Sequence, residues 1–185
     1  GLEIFSGTTN LKNEIALLKS YSITKQVAED LGLGISYFAH GNILTSTLYG
    51  NLPFEIVVDS THLQLCNRAF YITILNDSQY KLRVNSYDQY AYNIINRKFD
   101  KSLDSDIFIE EIYEFGKFVE CEHFSFILYK KNNYKVNTDK KMDFSFVLHD
   151  ITTLLDKYVK STTINPINKD ASVLTLNIKG DSPKK

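Results

Sequence analysis

From Ile35 onward the apolar residues of this 185-residue chain recur with a period of two. That spacing turns successive side chains to opposite faces and commits the long middle of the chain to half-buried strands. It predicts strands at Ile35 to Phe38, Thr45 to Tyr49, Phe54 to Val58, Phe70 to Leu75, Tyr80 to Val84, Ala91 to Ile95, His123 to Leu128 and Phe144 to Leu148. Asn76-Asp77-Ser78 lies between two of these runs and reads as a hairpin turn, and Asn132-Asn133 is a second turn signal. The stretch from Phe99 to Glu122 mixes acids with Ile107, Ile109, Ile112 and Phe115, and neither period places it.

Before the strands the spacing is helical. Leu11, Ile15 and Leu18 recur at i, i+4, i+7, and Ile23, Val27 and Leu31 at i, i+4, i+8, out of phase with the first set. Ser20-Tyr21-Ser22 separates them, and serine favours caps over helix interiors, so two helices joined at a corner are expected. Thr9 or Asn10 would cap the first, and Gly32 or Gly34 would end the second. Asp150 reads as an N-cap for a later helix from Ile151 to Val159, with Leu154, Leu155 and Tyr158 as its apolar stripe and Lys157 and Lys160 near its C-terminal end. Strands at Thr162 to Ile167 and Ser172 to Ile178 close the pattern. The expected class is α+β: a mixed or antiparallel sheet flanked by N-terminal helices and one later helix, with a long β-rich middle. The whole chain, 1–185, reads as a single domain with a β-rich insertion at roughly 40–148.

Composition narrows the function. With 43% hydrophobic and 23% charged residues the chain is an ordinary folded one. Its 21 basic and 22 acidic residues leave a net charge of -1, with no footprint for nucleic acid and no polybasic membrane patch. No apolar run reaches the ~18 residues that a span needs, and no signal peptide opens the chain. Most of the 12 tyrosines and 12 phenylalanines fall in strand-like runs and read as core and cross-strand pairs. Cys66 and Cys121 have no metal spacing; two buried free thiols are expected, with a disulfide as the alternative. Lys179-Gly180 turns the chain, Asp181 or Ser182 is a ready N-cap and Pro183 suits the first helical position, with only Lys184 and Lys185 after it, and residue 1 is Gly. The expectation is a piece excised from a longer protein.

The sequence carries no motif for catalysis. Gly32-Leu33-Gly34 lacks the third glycine of a dinucleotide loop, and there is no phosphate-binding Gly-Lys-Ser/Thr triplet and no Gly-x-Ser-x-Gly elbow. His40, His62, His123 and His149 are too far apart in sequence for a local zinc pair. Glu120 and Glu122 would share one face of a strand, as would Asp104 and Asp106, but a solvated face explains both pairs without acid–base chemistry. Asn76-Asp77-Ser78 is formally an N-glycosylation acceptor. The reading is no catalytic, cofactor-binding or metal-binding residue, and no cofactor.

Two segments carry a resemblance. Asn10-Leu11-Lys12-Asn13-Glu14-Ile15-Ala16-Leu17-Leu18-Lys19-Ser20, followed by Val27-Ala28-Glu29-Asp30-Leu31-Gly32-Leu33, resembles the opening of the polysaccharide chain-length determinant family, just outside its first membrane span. Ala171 to Pro183 resembles the strand and helix start near the far end of that domain. Leu48-Tyr49-Gly50-Asn51-Leu52-Pro53-Phe54 and Tyr113-Glu114-Phe115-Gly116 look like stretches of large members from Bacteroidetes-type bacteria, many of which continue into a cytoplasmic tyrosine kinase.

The resemblance implies a non-catalytic periplasmic domain of an inner-membrane polysaccharide co-polymerase, anchored by two spans that this sequence lacks. It would assemble as a homo-oligomer, meet the polysaccharide polymerase or the glycan, and set the chain length of an exported exopolysaccharide or lipopolysaccharide. A kinase nucleotide site, where one is attached, would lie wholly outside these residues, and no family catalytic residue maps onto them. Two readings compete: a secreted or periplasmic carbohydrate-binding module, whose aromatics would stack on sugar rings, and a hydrolase using Glu120 and Glu122.

Overall fold

A computed structural model describes residues 3–41, 44–50, 52–131, 143–168 and 173–179. Twelve strands and three helices fall among them, and every strand pair is antiparallel. The expected α+β class is therefore corrected to a predominantly β protein carrying a few helices, its sheets antiparallel, one of the two sheet types expected. The largest part of the difference is the stretch that neither period could place. Most of it is one 17-residue strand, whose Asp106, Glu110, Glu111 and Glu114 are exposed, where charge is tolerated.

The chain divides into two compact units, residues 35–150 and a second formed by 1–34 together with 151–185. In the second unit, α1 (Glu3–Leu18) and α2 (Tyr21–Asp30) turn a corner at Ser20. The Ser20 hydroxyl accepts from the Ile23 amide at 3.3 Å and so caps α2. At the other end Gly32 sits at φ +63, the Gly32 amide donates to Glu29 O and the Leu33 amide to Ala28 O. These two bonds form a Schellman cap, for which a residue free of a Cβ suits the left-handed position. α1 begins at Glu3, ahead of the expected cap at Thr9 or Asn10.

The buried face of α2 also differs from expectation. Ala28 is buried, whereas Val27 and Leu31 stand 47% and 67% exposed. Ala28 packs with Leu154 and Leu155 of α3 (Ile151–Ser161), and Leu33, Ile151 and Tyr158 close around them. β11 (Thr162–Pro166) and β12 (Leu174–Ile178) form a hairpin-like pair. The Asn132-Asn133 turn and the Asp181 to Pro183 helix start lie outside the described residues.

The unit at 35–150 holds two sheets. The larger has seven strands: β1 (Ile35–His40), β2 (Thr45–Leu48), β4 (Leu63–Gln64), β5 (Ala69–Ile74), β6 (Gln79–Asn93), β7 (Lys98–Glu114) and β10 (Asp143–Leu148). Their order runs β2-β1-β10-β5-β6, and β6 pairs along its length with β7. Two register shifts, on either side of Gln89, let β6 leave β5 and reach β4 at its far end. The smaller sheet is β3 (Phe54–Val58), β9 (Phe124–Lys130) and β8 (Phe118–Cys121), with β9 central.

Inner faces of the two sheets meet on phenylalanine. Phe70 of β5 stacks on Phe146 of β10 at 4.7 Å and meets Phe124 and Phe126 of β9 edge-on at 5.0 and 5.6 Å. All four rings are fully buried. Offset and edge-to-face pairs of this kind add about 0.5–1.5 kcal/mol each beyond their area. Gln64 ties β4 to the smaller sheet by donating from Nε2 to the Ser125 and Asp59 carbonyls.

Because the inward positions alternate with outward ones, the core dictates what the opposite face of the larger sheet displays. Every residue flanking Phe70, Ile72, Leu82 or Phe146 in sequence points away from the core. That outer face is where the polar chemistry gathers.

Candidate functional site

Strand register aligns the outward residues in two rows that cross six strands. One row runs Thr47, Phe38, Ser145, Tyr71, Arg83, Glu110, and the next runs Thr45, His40, Asp143, Thr73, Lys81, Ile112. Across about five inter-strand spacings of ~4.8 Å the rows are some 24 Å long. At their centre His40, Tyr71, Thr73, Lys81, Arg83, Glu110 and Asp143 line an open cavity of about 310 Å³.

Tyr71 stands in the middle of it. The Arg83 guanidinium carbon lies 4.9 Å from the centre of its ring, and the His40 ring is 5.6 Å away at a tilt. The imidazole is held from both nitrogens, Nδ1 at 3.0 Å from Thr45 Oγ1 and Nε2 at 2.8 Å from Ser145 Oγ. Ser145 is buried beneath it at 2% exposure. Its hydroxyl therefore has no open approach for a substrate, and the pair fixes the imidazole without creating a nucleophile.

The two carboxylates of the cavity are already engaged. Lys81 Nζ donates to Glu110 Oε1 at 2.8 Å, and this bond, then the Lys81 and Arg83 charges, holds the Glu110 carboxyl below its ordinary value. Thr73 Oγ1 donates to Asp143 Oδ1 at 2.6 Å. Among the described residues, Arg83 makes no hydrogen bond and no ion pair; its contact is the Tyr71 ring. The lining thus combines one aromatic face, fixed hydroxyls, two engaged acids and a guanidinium fork with no acceptor among the described residues.

The residues singled out by sequence are scattered. Of the four histidines only His40 reaches the cavity. His62 Nδ1 meets its neighbour's carbonyl, Leu63 O, at 2.8 Å, His123 is buried, and His149 Nε2 lies 2.8 Å from Ser36 Oγ. Among the described residues no three His, Cys, Asp or Glu side chains gather as a metal site. Glu120 is on β8 while Glu122 lies in the turn after it, so they do not share a strand face. Asp106 is exposed on β7, and the Asp104 side chain lies outside the described residues.

Asn76 closes the β5–β6 turn: its Oδ1 accepts from the Ser78 and Gln79 amides, both at 2.9 Å. Gly32-Leu33-Gly34 is the helix cap described above. Cys66 and Cys121 are both free thiols. Burial, then the Asp150 carboxylate, pushes the Cys66 thiol up to about 12.

No sequence motif marks Tyr71, Thr73, Lys81, Arg83, Glu110 and Asp143 as a set. Tyr71 and Thr73, and Lys81 and Arg83, are visible there only as the polar alternates of two apolar runs. Nothing local says that Asp143 and His40 stand beside them. No protein-family model matches the chain, and no curated protein matches it. No helix among the described residues is long and apolar enough to cross a membrane.

Proposed function

We propose that this chain is a non-catalytic recognition domain of the polysaccharide chain-length determinant type, which holds a segment of saccharide chain along the two polar rows of its larger sheet. The observation that carries the reading is the open cavity centred on Tyr71. Sugar hydroxyls both donate and accept, and a lining of fixed hydroxyls, carboxylates and cations offers partners of both kinds. The apolar face of a pyranose ring suits an aromatic side chain. Rows that cross six strands suit an extended polymer better than a small metabolite. The buried position of Ser145 supports a contact role for the His40 cluster.

In this reading the domain faces the periplasm, is tethered to the inner membrane by segments outside these residues, and works as a homo-oligomer beside a polysaccharide polymerase. Any kinase activity belongs to another part of such a protein. Tethering raises effective concentration, so the isolated chain is monomeric or weakly associated in dilute solution. Light scattering that found a tight ring without membrane segments would count against that tether-dependent assembly.

The groove itself is tested by NMR titration with neutral and acidic oligosaccharides of about six sugars. Saturable shifts centred on Tyr71, Thr73 and His40 are the expected result. If no saccharide in the panel moves those resonances at millimolar concentration, the reading fails. Tight, micromolar binding by the isolated monomer would instead favour a free-standing carbohydrate-binding module, which the same cavity would serve.

A further inference from the structure

Within the cavity, hydrogen-bonding capacity is unevenly committed. Both ring nitrogens of His40 are engaged by Thr45 and Ser145, Lys81 is bound to Glu110, and Thr73 to Asp143. Arg83 is the exception. Its guanidinium lies against the Tyr71 ring, and among the described residues it donates to no acceptor. A planar fork held by an aromatic face and left with its donors free is matched by a carboxylate, which accepts two parallel N–H bonds from it.

We infer that the cavity takes an acidic saccharide, with the carboxylate of a uronic acid residue on the Arg83 guanidinium and the sugar ring beside Tyr71. This rests on the saccharide reading above and names the ligand class for the same groove. Charge selects carboxylate over phosphate. Lys81 and Arg83 already balance Glu110 and Asp143, so every negative charge on the ligand is a surplus, and a carboxylate brings only one. A phosphate monoester would bring about -1.5 to -2 into a cavity that already holds Glu110 and Asp143. The Lys81–Glu110 bond is what lets a carboxylate approach, since it neutralises the acid directly across the strand pair from Arg83.

The test is calorimetric titration of the chain with oligogalacturonate and oligoalginate, with fully methyl-esterified oligogalacturonate, with maltohexaose and with inorganic phosphate. At low salt the free acids should bind about tenfold or more tighter than the ester, the scale of one charge-assisted pair. Arg83→Gln should abolish that preference while leaving binding of the ester in place. Arg83→Lys should restore it only in part, because an ammonium offers no fork. Unchanged thermal melting of both variants would show that the fold is intact. Equal affinity for acid and ester, a preference that survives Arg83→Gln, or phosphate binding as tightly as the uronides would overturn the inference and leave the saccharide groove standing. If neither acids, ester nor maltohexaose bind, the groove reading falls, and this inference with it.

Discussion

The Arg83 guanidinium lies 4.9 Å from the centre of the Tyr71 ring, directly across the β5–β6 pair. Neither residue is near the other in sequence terms that a motif would capture, yet the register makes them neighbours and the core on the far side makes both face outward. A cation over a ring at an exposed site is worth about 0.5–1 kcal/mol. Here it also decides where the free donors of Arg83 point. Tyr71→Ala removes the ring and the platform together, and should weaken saccharide binding by about five- to tenfold. Tyr71→Phe keeps the face and should lose much less. Titration of both variants with one oligosaccharide separates stacking from any role of the hydroxyl. Equal losses would show that the ring face is not what the ligand uses.

Acid should loosen the cavity before it unfolds the chain. The Lys81 hydrogen bond and charge hold the Glu110 carboxyl below its ordinary value of 4.5. A depressed folded value means that the stabilisation is present above about 4.5 and is lost as pH falls through the lower folded value. Both side chains are 41% exposed, so the effect on global stability is small. Melting curves of the parent and of Glu110→Gln from pH 7 down to 3 should differ slightly at the top of that range and converge at the bottom. A gap that widens in acid would contradict the ion pair.

Alternation makes much of the sheet legible in the sequence. β1, β3, β5 and β10 fall within a residue or two of their expected bounds, because an apolar residue at every second position allows little else. β7 is hidden because Asp106, Glu110, Glu111 and Glu114 interrupt its apolar alternation. Those acids sit on an exposed strand where Lys81 answers one of them across the sheet, and pairing of that kind has no sequence period. The stripe of α2 misleads for a different reason. Val27 and Leu31 have the right spacing, but a close helix contact favours a small side chain, and Ala28 is the residue that α3 packs against. The cavity is illegible because it rests on β1, β10 and β5 being neighbours, strands far apart along the chain whose register only folding defines.

The phenylalanine cluster predicts where the fold is most fragile. Phe70 is fully buried and touches Phe124, Phe126 and Phe146. Phe70→Ala would open a cavity between the two sheets and cost about 3–5 kcal/mol, a large part of a typical domain's total. Phe70→Leu keeps much of the volume and should cost clearly less, losing chiefly the ring contacts. Urea denaturation of the two variants gives both numbers. A Phe70→Ala loss under about 1 kcal/mol would mean that the sheets do not share this core.

Alkaline titration reports on a different buried group. The Cys66 thiol is 5% exposed, and burial with the Asp150 charge raises it from 9.0 to about 12. Tyr37, half-buried on β1 and facing the Glu55 charge, is raised from 10.0 to about 12, chiefly by desolvation. In the unfolded chain both groups release their protons near their ordinary values, whereas the folded chain holds them. Their contribution to stability is therefore complete below pH 9 and declines as pH rises toward 12. Each raised group contributes a slope of up to about 1.4 kcal/mol per pH unit within its own window. Cys66→Ala should lower stability somewhat at pH 7 through lost packing, yet make its fall above pH 9 shallower by the share that Cys66 contributes. The same chemistry makes Cys66 slow toward iodoacetamide at pH 8 in the folded chain. In denaturant without reductant, two alkylations per chain are expected from Cys66 and Cys121. Finding none would show that the two cysteines are joined, and would require a different packing around β4 and β8.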